Sequence, residues 1–318
     1  QFTVNVNEPT LIYAYTPGTI RHTENIGFEA IAVPGEKAVM TGDVSKAYYF
    51  SGSKFYLEYN EADRTYSNAM KPLNDLVESL NKRMQSGESQ ETLQKEYSEK
   101  APAIQKQATE AIVDFIAKHP DSEGAAAFIP MLGDLATMKK AAASLSEKVR
   151  NGRMHNYYQK VIDGIEAREK AEAEAGKKQA AGVVAPDFTL NDINSKPLSL
   201  ASFKGKYVLL DFWGTWCIWC VRGIPKMKEY YNKYKDKFEI LSIDCNESMD
   251  KWKAGVKKHE LPWLNVYQPS DGAVQTTQLY GIQGFPTKIL VGPDGKIVKT
   301  VVGEDPAFYT FLDETFGK

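Results

Sequence analysis

The sequence predicts an α/β C-terminal domain preceded by a small antiparallel β-domain and a helical region, divided as residues 1–60, 61–180 and 181–318. Three observations carry this prediction. An apolar run over 208–212 leads straight into Cys217-Ile-Trp-Cys220, and charged and aromatic residues then follow at helical spacing as far as Tyr234. Short aromatic and β-branched segments alternate with Gly and Pro turns through the first sixty residues, and apolar residues recur with helical period from about 62 to 179.

Strand composition marks residues 2–6, 11–15, 28–33, 37–41, 47–50 and 54–59, which together read as a small antiparallel sheet or sandwich. Its tyrosines suit either a binding face or the half-buried alternation of an ordinary sheet. In the helical region Ile104, Ala108, Ala111, Ile112, Phe115 and Ile116 form one stripe, which His119-Pro-Asp-Ser122 ends before capping the next helix. Residues 125–149 and 157–178 continue the series. The last segment is rich in Glu, Lys and Ala and has little apolar face, so it reads as a solvated helix fraying into a linker, Gly176-Lys-Lys-Gln-Ala-Ala-Gly182. Domain motion about that linker is the default expectation. Further on, 238–244 reads as a strand ending at Cys245, 249–258 as a helix, and 287–291 as an apolar strand opened by Pro286. A proline is harmless at a strand start, because its missing N–H is not needed there.

The chemistry concentrates at the Cys-x-x-Cys. Cys217 falls at the mouth of a helix, where unpaired N–H groups and the positive end of the dipole favour a thiolate. That makes it the attacking sulfur and leaves Cys220, one turn inside, to resolve. Such a pair is also half of a common zinc site. The second half is missing: the remaining cysteine is Cys245, and His22, His119, His155 and His259 are scattered without ligand spacing, so no metal is expected. Asp211 lies in an apolar run, where burial should raise its pKa and equip it as a base; the competing reading is a strand-end carboxylate facing water. Trp213 is expected to pack inside, Trp216 to wall the substrate surface and Trp219 to stand exposed beside the sulfurs, unless all three simply pack. Cys245 reads as a small buried hydrophobe, with a third redox sulfur as the alternative.

Composition excludes several classes. With 39 basic and 41 acidic residues the net charge is −2, which offers no electrostatic case for nucleic acid or an anionic membrane. No apolar run approaches bilayer length. The chain opens at Gln1 without a basic and apolar leader, which implies either a removed leader or a cytoplasmic protein.

Asp211-Phe-Trp-Gly-Thr-Trp-Cys-Ile-Trp-Cys220 resembles the active-site segment of the thioredoxin superfamily, and the surroundings resemble its TlpA/ResA-like envelope thiol-disulfide oxidoreductases. Ala185-Pro-Asp-Phe-Thr-Leu-Asn-Asp192 is similar to the entry strand of that branch, Lys204-Gly-Lys-Tyr-Val-Leu-Leu-Asp211 to its central strand, and Tyr280-Gly-Ile-Gln-Gly-Phe-Pro-Thr287 to its cis-proline loop. The resemblance spans about 183–318 and implies a thioredoxin-like domain with a central mixed sheet flanked by helices. It also implies an added helix and strand between 248 and 278, a cis bond before Pro286, and a substrate surface formed by Trp216, Trp219, Phe285 and Pro286. Asp211 would help deprotonate Cys220. No cofactor is implied beyond a redox-active Cys217–Cys220 disulfide. The implied partners are a disulfide-containing client protein and a membrane protein that delivers reductant, in the periplasm or anchored to the envelope. The β-domain weakly resembles an uncharacterised type found ahead of such domains, and selection or positioning of clients is the role expected of the first 180 residues.

Two departures matter. Gly223 stands where envelope members usually carry a glutamate, which throws weight on Asp211. Ile218-Trp219 replaces the usual Gly-Pro or Glu-Pro between the cysteines, so thiolate stabilisation rests on the helix terminus, and a reducing or intermediate potential is expected. Two further readings stand beside it, a second enzyme and a binding module. A thiol peroxidase would need a Pro-x-x-x-Thr-x-x-Cys spacing, whereas Thr215 lies only two residues before Cys217. A binding module with a vestigial redox domain is opposed by the complete Trp-Cys-x-x-Cys and Phe-Pro-Thr set.

Overall fold

The computed structural model describes residues 3–15, 27–44 and 47–317, and the chain divides into two compact units, 1–167 and 168–318. The expected strand over 2–6 lies partly outside the described residues, and residues 3–6 form no strand; His22 also lies outside them.

In the first unit β1 (Thr10–Tyr15) pairs antiparallel with β2 (Gly27–Ala32), and β3 (Ala38–Asp43) with β4 (Ala47–Gly52). Among the described residues these form two small two-stranded antiparallel sheets. A lone hairpin cannot support itself in water, and Ala30, Ile31 and Phe50 of these strands are buried in the same core as the helices that follow. The small antiparallel sheets and the helical region that follows them thus share one core within the first unit.

The expected strand over 54–59 is instead the start of α1 (Lys54–Gln85). As a strand it would place Phe55, Leu57 and Tyr59 on one face. The helix instead buries Phe55 and Tyr56, turns Leu57 outward, and brings Tyr59 back against Phe55 and Phe128. Tertiary packing has overridden the β-propensity of the aromatics. After α2 (Gln90–Lys118), capped by the Ser89 hydroxyl, the residues read as one stretch over 125–149 break up. They give α3 (Glu123–Ala126), a 3₁₀ turn at Ile129–Met131, α4 (Leu135–Ser144) and α5 (Glu147–Arg150). Pro130 sits in the first two positions of that turn and Asp134 caps α4. The unit boundary falls within α6 (His155–Lys178).

The residues read as a loose linker are tied into the second unit. Gln179 Nε2 donates to the carbonyls of Tyr280 and Gly281, Gly182 N donates to Ile297 O at 2.8 Å, and Val184 bridges Lys296. Beyond them come β5 (Thr189–Asp192), β6 (Pro197–Ser199), β7 (Tyr207–Trp213), α7 (Ile218–Tyr234) and β8 (Phe238–Asp244). The chain ends with α8 (Met249–Lys258), β9 (Leu264–Tyr267), α9 (Thr276–Tyr280), β10 (Thr287–Val291), β11 (Ile297–Val302) and α10 (Pro306–Phe316). The sheet order is β11-β10-β7-β8-β9-β5-β6, with β7, β8 and β9 parallel and the other pairings antiparallel.

Strand alternation sorts the core onto the two sheet faces. Val208, Leu210 and Phe212 of β7 join Leu241, Ile289 and Tyr280 on one side. Leu209 and Trp213 point to the other, with Ile240, Leu290, the inner face of α7 and Phe308 and Leu312 of α10. Asp211 shares the parity of Leu209 and Trp213, so it belongs to the face that α7 covers.

Candidate active site

Central β7 ends at Trp213, and a three-residue turn delivers Cys217 to the N-cap of α7. Cys217 has extended backbone (φ −87°, ψ 100°), and its Sγ accepts the Cys220 N–H at 3.1 Å. The two sulfurs are bonded to each other. Both cysteines are buried, at 6% and 4% exposure, yet apolar side chains stand exposed around them: Trp216 at 51%, Ile218 at 58% and Trp219 at 57%. The Trp216 indole N–H donates to Cys245 O at 2.9 Å, and its ring meets Phe285 edge-on at 5.1 Å. The Arg222 guanidinium covers Trp219 at 5.0 Å from the ring centroid. The Phe285–Pro286 bond is cis, and Pro286 O accepts from Gly303 N at 2.7 Å. Trp213 is buried.

Beneath α7 three strands contribute one polar row. Asp211 faces Ser242 across the β7–β8 pairing and Lys288 across β7–β10. Asp211 is buried; the Ser242 hydroxyl donates to its Oδ2 at 2.9 Å and itself accepts the Trp263 indole N–H at 2.8 Å. Lys288, also buried, places Nζ 4.0 Å from Asp211 Oδ1 and donates to Glu304 from the β11–α10 loop. Burial pushes the Asp211 carboxyl above the ordinary aspartate range; Lys288 and the Ser242 hydroxyl oppose this, and the Glu304 charge adds to it.

Behind the turn, Glu247 accepts from Thr215 N at 2.7 Å and from the Thr215 hydroxyl. Burial raises the Glu247 pKa, but the hydrogen bonds it accepts outweigh that and hold it below the usual carboxylate range. Its neighbour Asp244 is pushed up to about 10, first by burial and then by the Glu247 carboxylate beside it. Cys245 is fully buried, and burial foremost drives its thiol pKa upward.

Reading the sequence missed Lys288, Glu304, Ser242 and Glu247. Lys288 had a signal, since a lysine inside Thr-Lys-Ile-Leu-Val, a run read as a buried strand, must find a charged partner. Glu304 had none, because it reaches the site from a distant loop. Among the described residues no group of three or more His, Cys, Asp or Glu side chains gathers as a metal site, and no helix is long and apolar enough to cross a membrane.

A mixed sheet whose central strand delivers a Cys-x-x-Cys disulfide to a helix N-terminus beside a cis-proline defines a thioredoxin-fold redox domain. Residues 205–297 match a family model described as thioredoxin-like. Thiol-disulfide oxidoreductase ResA of Bacillus thuringiensis subsp. konkukian is 37% identical over 129 residues, covering 40% of this chain and 73% of that protein. The ResA of Bacillus subtilis is 36% identical over 131 residues, covering 41% of this chain and 72% of its own length. The thioredoxin domain of a Bacteroides vulgatus thiol-disulfide oxidoreductase is 36% identical, covering 43% of this chain and 98% of its own, with a TM-score of 0.41. The chain belongs to the TlpA/ResA-like thiol-disulfide oxidoreductases of the thioredoxin superfamily, and it is an oxidoreductase.

Proposed function

We propose that this enzyme reduces protein disulfides on the periplasmic side of a bacterial envelope, using Cys217 and Cys220 as its only redox groups and no added cofactor or metal. The Cys217 thiolate attacks a client disulfide, expels one client thiolate and forms a mixed disulfide. Asp211 takes the proton of Cys220, whose thiolate then attacks the Cys217 sulfur and releases the second client thiolate. The client has gained two electrons, and the Cys217–Cys220 disulfide that remains is reduced in turn by a membrane protein that delivers reductant. Trp216, Trp219, Phe285 and Pro286 contact the client.

The observation that carries this reading is the Cys217 sulfur at the N-cap of α7, accepting the Cys220 N–H. That position lowers a thiol pKa and selects the first cysteine as nucleophile. The test combines turnover of a model disulfide protein, insulin, with the potential of the Cys217–Cys220 couple against dithiol buffers. Expected are turnover abolished by Cys217→Ser, a trapped mixed disulfide in Cys220→Ser, and a potential near that of thioredoxin, about −270 mV. Insulin turnover equal to that of Cys217→Ser would refute the reading. A potential well above that of glutathione would instead make the protein an oxidant or isomerase.

A further inference from the structure

Gly223 lies on α7, on the helix turn after Cys220, and a Cβ placed there would overlap the carboxylate of Glu304. The space that a side chain at 223 would take is thus filled from the β11–α10 loop. Glu304 is held from two directions: Lys288 Nζ donates to Oε1, and the Tyr309 hydroxyl donates to Oε2 at 3.2 Å. Along Asp211, Lys288 and Glu304 the side-chain exposures are 7%, 2% and 19%, so the row reaches toward solvent at its Glu304 end. It ends at a cavity of about 360 Å³, where Glu304 meets Trp219, Arg222, Gly223, Lys226 and Tyr309.

Lys288 is the link between the two carboxylates. An ammonium this buried must be paired. Glu304 takes its close contact and leaves Asp211 at 4.0 Å, beyond hydrogen-bonding distance. Without Glu304, Asp211 would be the only carboxylate beside Lys288 and would be held ionised. A carboxylate held ionised by an adjacent cation is too weak a base to take the proton of Cys220.

We propose that Glu304 is a positioning residue of the dithiol chemistry: it occupies the place left open at Gly223 and, by engaging Lys288, keeps Asp211 free to change its charge. This rests on the reading of Asp211 as the group that deprotonates Cys220. The other groups facing the row are Ser242 from β8, Tyr309 from α10, and Arg222 and Lys226 from α7. None of them offers Lys288 a second carboxylate.

The test is the pH dependence of the Cys217–Cys220 reduction potential in the full chain, measured for wild type, Glu304→Gln and Gly223→Glu/Glu304→Gln. The wild-type plot bends where Asp211 titrates. Glu304→Gln is expected to move the bend down by about one pH unit or more, the size of effect an adjacent cation has on a carboxylate. Returning a carboxylate from position 223 brings the bend back. Should Glu304→Gln fail to fold, Gly223→Ala, which displaces the Glu304 carboxylate, is measured in its place and moves the bend in the same direction. A bend that neither variant moves, or that the carboxylate at 223 does not restore, overturns the proposal. A wild-type plot that superposes on that of Asp211→Asn removes the Asp211 reading and this proposal with it. No client enters the measurement, so a failure to reduce insulin would refute the preceding function while the shift of the bend still stood.

Discussion

Lys288 Nζ stands 4.0 Å from Asp211 Oδ1 on the neighbouring strand, in register and out of water. Even with that cation so near, burial leaves the Asp211 pKa raised above its ordinary 3.8. A raised aspartate favours the fold most below its unfolded pKa, and that contribution is lost as pH climbs through the folded value. Asp211→Asn abolishes the loss. It is expected to stabilise the protein at neutral pH by on the order of 1 kcal/mol, or roughly 2–4 °C in the melting temperature of a unit of about 150 residues such as the second. The gain should vanish toward about pH 4, where the unfolded carboxylate also protonates. The same variant should lose about 10²-fold in disulfide turnover, the usual worth of a general base. Thermal melts from pH 4 to 8 alongside turnover check both halves; equal melting temperatures at pH 8 would show that Asp211 is not ionising at a cost.

Much of the redox unit was legible, because its signals are local. β10 spans the strand read from Thr287-Lys-Ile-Leu-Val, α8 matches the helix read over 249–258, and Cys217 lies at the helix mouth because its strand and helix adjoin in sequence. What was missed depends on distant contacts. Gly223 showed only that a side chain was missing; that Glu304 fills the space follows from packing the β11–α10 loop against α7. In the first unit Phe55 and Tyr59 carry β-propensity in their residue types, yet their partner Phe128 fixes them in a helix. Residues 176–182 look loose in sequence for a related reason: polar residues such as Gln179 bond to backbone carbonyls of a loop that follows far along the chain.

Trp219 is 57% exposed beside the sulfurs, and its ring is covered by Arg222. A side chain so exposed contributes little to folding, whereas an aromatic at a docking surface carries binding energy. Trp219→Ala is therefore expected to leave the melting temperature unchanged and to raise KM for a protein disulfide roughly tenfold, equivalent to about 1.4 kcal/mol, with kcat nearly constant. Kinetics on insulin beside a small aromatic disulfide separate the cases. An equal effect on both substrates would place Trp219 in the chemistry and not in docking.

Cys245 is the free thiol of the described residues, fully buried, with its sulfur 3.5 Å from Ile243 O. Burial and the neighbouring Asp244 push the thiol pKa up, so almost no thiolate forms at neutral pH, and the thiolate is the reactive species. Reduced enzyme treated with an alkylating reagent should be labelled at Cys217 under native conditions and at Cys245 only in denaturant. Cys245→Ala should leave the reduction potential unchanged while costing roughly 1 kcal/mol of stability through lost burial. Native labelling of Cys245 at a rate close to that of Cys217 would restore it as a redox sulfur.

Glu247 braces the turn that carries Cys217, since its carboxylate accepts both the N–H and the hydroxyl of Thr215, two residues before Cys217. Glutamine at this position can accept through only one of its two head atoms, so one Thr215 donor loses its partner. An unmet donor costs about 1–3 kcal/mol. In Glu247→Gln the amides of the turn should exchange with solvent roughly tenfold faster or more, while those of β7 should be unchanged. The same substitution removes the negative neighbour that, after burial, raises Asp244 to about 10. The stability that wild type loses as pH rises from the ordinary aspartate range toward 10 should then be lost over a narrower range with a lower upper limit. Hydrogen exchange read at Thr215, Trp216 and Cys217, together with an NMR titration of the Asp244 carboxyl, tests both consequences. If exchange at the turn is unchanged while Asp244 titrates lower, Glu247 acts on Asp244 and not on the turn that presents Cys217.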